Sequence, residues 1–415
     1  MLNESIHYID GALYIDGVPA AQIAEQVGTP VYVYSQRRVL RRYGALKDAF
    51  SNLKAHVHYS AKANANLALL RALVEAGAGI DAVSGGEIAR ALAAGCAPED
   101  IVFAGVGKTP AELREAVQQG IGWFNVENVD ECRLLNQFAA EAGERVRVAL
   151  RYNPDVQANT HPNIATGHKG AKFGLNQDDL LHVLKHASDY PNLDIAGLHV
   201  HVGSQLGDTA ATVQGVQAAL EIIADYPELR TINIGGGFPA DYDGAENPSY
   251  DDFARALEPL LSEYEVIIEP GRSIVADAGV LLTQVLYTKA QGGVQLAIVD
   301  ASMTELMRPA LYGAVHQVVP LMRDMDKPTA PITVVGPVCE TTDVLAKEVM
   351  LPQMQQGDLL AILDVGAYGM VMANNYNQRP RPPEVMVEGD GWYVARPRET
   401  AEDLLRSELE ATRTR

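Results

Sequence analysis

The residues of this 415-residue chain whose types suggest chemistry are few, and they recur at one kind of place. Lys62 closes the alternating run His56-Val57-His58-Tyr59-Ser60-Ala61-Lys62, and a helical pattern begins within a few residues. Parallel α/β folds put their chemistry at such strand-to-helix turns. A functional lysine there uses its nitrogen as a nucleophile, most commonly in an imine with pyridoxal phosphate. Taken alone, the position reads more readily as a strand-end ammonium that reaches to water.

Other chemistry-bearing residues sit at comparable positions. The triple glycine Gly235-Gly236-Gly237 would let a backbone approach a phosphate and aim N–H groups at it, although alone it also suits a tight turn. Glu269, before Pro270-Gly271-Arg272, could hold a proton on a pyridine nitrogen, which makes the ring an electron sink; a capping or ion-paired acid is the competing reading. His199 and His201 lie two apart and would share one face of a strand, where one could stack on a flat ring. Core histidines and metal ligands are the alternatives, and without a nearby acidic or cysteine ligand set no metal is expected. Gly105-Val106-Gly107-Lys108-Thr109 resembles the end of a phosphate-binding loop, but Val102 stands where that motif needs glycine. It reads as a strand-end turn leading into a helix cap.

The elements that must position these residues follow from the pattern. Strand candidates are 56–62, 79–83, 101–105, 124–127, 146–153, 195–203, 231–237 and 265–271, with helical segments such as 67–76, 86–94, 110–119 and 129–142 between them. Eight such units predict an α/β fold built on a (β/α)8 barrel, with Lys62, Ser204, the glycines and Glu269 at one rim. After about residue 276 the texture becomes strand-rich, at 280–289, 294–299, 332–338, 359–364, 384–388 and 392–395, which predicts a second, mostly antiparallel β domain. The opening Tyr8–Ile15 reads as a hairpin around Asp10-Gly11. The expected division is therefore a barrel over 28–275 and a β domain made of 1–27 and 276–415, with a charged helical tail from about Glu402.

Composition narrows the class. The apolar fraction of 47% suits a globular protein, and a formal net charge of -20 disfavours nucleic acid or an anionic membrane as partner. No apolar run approaches the roughly 18 residues of a membrane span, and the N-terminus lacks the pattern of a secretory signal. Cys96, Cys132 and Cys339 are odd in number and widely spaced, which fits a reducing cytoplasm rather than a disulfide framework.

In order and number, these motifs resemble the diaminopimelate decarboxylase family of the alanine-racemase-like, fold type III pyridoxal phosphate enzymes. The resemblance runs from about Tyr32 to Tyr393. It includes Tyr59–Asn64, Thr166-Gly167 with Lys172-Phe173-Gly174, His201–Gln205, the triple glycine and Glu269–Arg272. It continues through Arg308–Tyr312, Gly336–Asp343, Gly366–Gly369 and Tyr376-Asn377.

That likeness implies pyridoxal 5′-phosphate bound through Lys62, with His201 stacked on its ring and Glu269 at its pyridine nitrogen. Ser204, Gly236, Gly237, Gly271 and Arg272 would surround the phosphate, with Tyr368 closing it. Arg272, Arg308, Tyr312, Glu340 and Tyr368 would contact an amino-acid substrate. Cys339 would reprotonate the reacting carbon, since a thiol carries a transferable proton at neutral pH. Cys339 and Glu340 would come from the partner of a homodimer with shared active sites. The implied reaction is decarboxylation of meso-2,6-diaminoheptanedioate to L-lysine, the last step of lysine biosynthesis. Decarboxylases of ornithine, arginine or carboxynorspermidine, and a non-catalytic regulator on the same fold, are the alternatives. A racemase is disfavoured by Glu269, because alanine-type racemases face the pyridine nitrogen with arginine.

Overall fold

The structure is a computed structural model that describes residues 2–157, 159–160, 166–167, 170–242, 244 and 246–413. They fall into two units. One comprises residues 40–240 and 246–274. Its eight strands, Lys54–Ser60, Gly79–Ala82, Ile101–Phe103, Trp123–Val126, Val146–Arg151, Leu193–His199, Thr231–Asn233 and Glu265–Ile268, close into a barrel whose neighbours all pair in parallel. The last strand pairs with the first, as Ile268 opposite Val57, which leaves no open edge. Val102, Trp123, Ala149, Ala196 and Ile267 pack together as a buried cluster from five strands. The barrel of the sequence reading is thus present.

Helix starts follow local chemistry. Ser84, Asn128 and Asn176 each accept a backbone N–H with their side chains, and Thr109 forms a full capping box with Glu112 ahead of Pro110. The strands stop earlier than expected. The first ends at Ser60, with Lys62 in the short turn Ala61–Ala63, and the sixth ends at His199, short of His201. The seventh ends at Asn233, because Asn233 Oδ1 accepts the Gly235 N–H at 2.8 Å and Gly235 takes φ 65°, which turns the chain out of the ladder. The polar residues therefore occupy turns just beyond the strands.

The other unit comprises residues 1–39, 241–245 and 275–415. Its main sheet runs Val344–Pro352, Thr329–Val335, Val294–Val299, Gly279–Gln291, Val31–Ser35, Glu384–Glu388 and Gly391–Arg396, with Leu359–Ile362 and Val318–Pro320 branching from it. Most pairings are antiparallel; two are parallel. The strand Val31–Ser35 corrects the expected boundary at residue 28. All five of its residues are buried between the strands at 279–291 and 384–388, so it belongs to this sheet. The N-terminal hairpin pairs Ile6–Ile9 with Ala12–Ile15 through Asp10 and Gly11, both at positive φ, and buries Ile6, Leu13 and Ile15 in the core of this unit. Among the described residues no helix is long and apolar enough to cross a membrane.

Candidate active site

The barrel's residues are assembled around Asp81 and Glu269. Lys62 Nζ donates to Asp81 Oδ2 at 2.9 Å, with Asp81 fully buried and the lysine side chain 41% exposed. Ser60 Oγ donates to the same carboxylate oxygen at 2.6 Å and lies 3.0 Å from the Glu269 carbonyl. A half-exposed lysine whose head is tethered to a buried carboxylate is positioned rather than free to snorkel.

Glu269 is buried beside the amides of two other strands. Its Oε1 accepts from Asn125 Nδ2 at 2.8 Å and from Asn233 Nδ2 at 2.5 Å. Burial raises its pKa to about 7, the Asp81 charge adds to that rise, and Lys62 and the two amides oppose it. His199 Nε2 comes within 3.5 Å of Glu269 Oε2, but burial holds this imidazole well below its ordinary pKa, so the contact is not an ion pair.

His201 is held neutral in the same way, first by burial and then by the charges of Arg151 and Lys62. Its Nδ1 accepts the Gly236 N–H at 3.3 Å, which puts the ring proton on Nε2. The glycines cannot be replaced cheaply. A Cβ on Gly236 would stand 2.3 Å from the Glu269 carbonyl oxygen, and one on Gly235 would stand 2.6 Å from His201 Nδ1. Gly237 has φ 99°, and a Cβ there would meet the Gly203 carbonyl at 2.7 Å. Gly271 passes close to Ser60 and Ala63. Arg272, largely buried, points its Nε and Nη2 at Ser204 Oγ, at 3.4 and 3.3 Å. Glycine backbone, a hydroxyl and a guanidinium thus lie together as a phosphate site requires.

Lys108 has another task. Its fully buried ammonium donates to the carbonyls of Gly105 and Asn125 and to Glu131, at 2.9, 2.6 and 2.6 Å. It is a structural ion pair at a strand-end turn, not a phosphate ligand.

The β unit carries the remaining predicted residues. Of the three cysteines, Cys96 and Cys132 are buried and pushed up to about 12 by burial, while Cys339 is exposed. Asp343 fixes the Cys339 loop: its carboxylate accepts from Val338 N at 2.8 Å and Met303 N at 2.7 Å. Glu340 and Tyr312 are exposed, and half-buried Tyr368 takes φ 56°, uncommon for an aromatic residue. Arg308 is 7% exposed, opens the short helix Arg308–Tyr312, and lies over the Tyr242 ring at 4.6 Å.

Asp81, Asn125, Asn233, Tyr242 and His316 were not singled out in the sequence, and Asp343 figured there only as the end of the Gly336–Asp343 motif. For the first three the available signal was their place at or next to a barrel-strand end.

Residues 36–276 match the family of pyridoxal-dependent decarboxylases, pyridoxal binding domain. Over 416 residues, 98% of each chain, the protein is 40% identical to diaminopimelate decarboxylase from Aquifex aeolicus. The chain belongs to the diaminopimelate decarboxylase family. A second family member, from Vibrio cholerae serotype O1, is 42% identical over 95% of this chain and 96% of its own. The crystal structure of diaminopimelate decarboxylase from Helicobacter pylori complexed with L-lysine superposes with a TM-score of 0.90 at 38% identity, covering 94% of this chain and 99% of that one. The family's cofactor, pyridoxal 5′-phosphate, fits the donor set found at the barrel rim: a tethered lysine, a buried carboxyl, a neutral histidine and a glycine cradle.

Proposed function

We propose that this protein is a pyridoxal-phosphate-dependent decarboxylase that converts meso-2,6-diaminoheptanedioate to L-lysine and carbon dioxide, acting as a homodimer. Full-length similarity to diaminopimelate decarboxylases supports the substrate. The observation that carries the reaction type is buried Glu269, held by two amides, which suits it to keep a proton on a pyridine nitrogen.

The bound cofactor supplies a protonated ring that accepts the electron pair left when the carboxylate departs. Lys62 would be its attachment point, and Asp81 orients the amine. His201 would stack on the cofactor ring, and its tautomer is fixed by the Gly236 N–H. Ser204, Gly236, Gly237, Gly271 and Arg272 would bind the phosphate, and the family resemblance assigns Tyr368 to it as well. Cys339, the exposed thiol, donates the proton that replaces carbon dioxide at Cα.

Glu340 takes the distal ammonium, with Tyr312 and Arg272 also on the substrate. Arg308 takes the distal carboxylate. It is a largely buried guanidinium, and among the described residues no carboxylate pairs with it. A buried guanidinium is costly unless its charge is met, and an anionic ligand would relieve that cost.

Spectroscopy tests the assignment of Lys62. Wild-type protein loaded with pyridoxal phosphate should show the visible absorbance of a lysine-bound cofactor, and Lys62→Ala should lack it. An unchanged spectrum in the variant would remove Lys62 from the mechanism.

A further inference from the structure

We propose that His316 is a positioning residue for substrate specificity: it holds the Arg308 guanidinium in the orientation that binds the distal carboxylate. The inference rests on the assignment of Arg308 made above. Arg308 Nη1 donates to His316 Nε2 at 3.2 Å, and the other ring nitrogen of His316 lies 3.0 Å from the Leu363 carbonyl. A guanidinium can only donate and a carbonyl can only accept. His316 is therefore a neutral imidazole with its proton on Nδ1, donating to Leu363 O and accepting from the arginine.

The imidazole is itself fixed, being 2% exposed and packed edge-on against the Tyr242 ring at 5.6 Å. That ring also lies under the guanidinium, 4.6 Å from its Cζ. Arg308 is thus held on one face by an aromatic ring and at one edge by a neutral acceptor. Neither contact cancels its charge. A carboxylate partner at His316's place would fix the arginine equally well but would compete with an anionic ligand, whereas a neutral acceptor orients the fork and leaves its charge available.

Three variants separate orientation from bulk structure, each compared with wild-type holoenzyme. His316→Asn keeps a donor for Leu363 O and removes the acceptor for Arg308. His316→Gln places an amide oxygen near the Nε2 position. Arg308→Ala removes the arginine. Steady-state kinetics on diaminopimelate is paired with calorimetric binding of L-lysine, which retains the distal carboxylate, and of 1,5-diaminopentane, which lacks it.

His316→Asn should raise KM and the Kd for L-lysine about tenfold, with kcat and the Kd for 1,5-diaminopentane nearly unchanged. His316→Gln should restore most of the loss. His316→Leu, which lacks both polar contacts, replaces the asparagine variant should that one not fold, with the same expected split. Equal weakening of both ligands, or no change in L-lysine affinity while Arg308→Ala loses it, would overturn the role of His316. Unchanged L-lysine affinity in Arg308→Ala would overturn the carboxylate assignment itself, and this proposal with it.

Discussion

At the scale of single residues, Glu269 shows burial and hydrogen bonding acting against each other on one carboxyl. Burial lifts its pKa from the ordinary 4.5 to about 7, although two amides favour the charged form. An acid with a raised pKa binds its proton more tightly when folded. Its contribution to stability is therefore full below about 4.5 and lost as pH rises through about 7. In the cofactor-free protein, Glu269→Gln should gain stability relative to wild type between pH 5 and pH 8, by on the order of 3 kcal/mol. Parallel denaturation curves at the two pH values would refute this. Cys339→Ala should slow turnover by about 10²–10⁴-fold, the usual contribution of a positioned acid, with the cofactor spectrum unchanged. Lys62 and Glu269 were legible only in company: each alone reads as well or better as an ordinary surface or capping residue, and it is the set of polar residues at successive strand ends that singles them out. Asp81, Asn125 and Asn233 were not, because a short polar residue within a strand acquires its partners only when the barrel closes and brings distant strands together.

At the scale of elements, the turns beyond the barrel strands hold the residues proposed to bind the cofactor, and their backbone sets what they can do. Gly236→Ala would press a methyl against the Glu269 carbonyl, so loss of pyridoxal phosphate binding is expected in equilibrium titrations. A variant that binds the cofactor as wild type does would refute a close-packed cradle. Lys108 makes the opposite point. Lys108→Met leaves Glu131 buried without its partner and should cost about 3–5 kcal/mol in denaturant unfolding, with little effect on phosphate affinity once folded. The helices 110–119 and 129–142 were read to their termini because caps and periodicity are local signals. The strand Val344–Pro352 was missed: its Lys347 and Glu348 interrupt the apolar run, and only pairing with Thr329–Val335 makes it a strand.

At the scale of the whole molecule, Lys62 and Glu269 belong to one unit, and Arg308 and Cys339 to the other. Which unit takes residues 28–39 was not readable from local pattern, because it depends on sheet partners some 250 and 350 residues away. If active sites are shared across a homodimer, mixing inactive Lys62→Ala and Cys339→Ala proteins should recover about a quarter of wild-type activity through hybrid dimers. No recovery after confirmed subunit exchange would exclude shared sites. The proposed site, with Arg308 in it, is suited to a substrate bearing a second carboxylate. Carbon dioxide release from the holoenzyme, measured with diaminopimelate, ornithine and arginine in parallel, tests it most directly. The expected result is a kcat/KM for diaminopimelate at least about 100-fold above either competitor, as a site built to pair a buried charge discriminates against ligands lacking it. Equal or faster release from ornithine or arginine would contradict it.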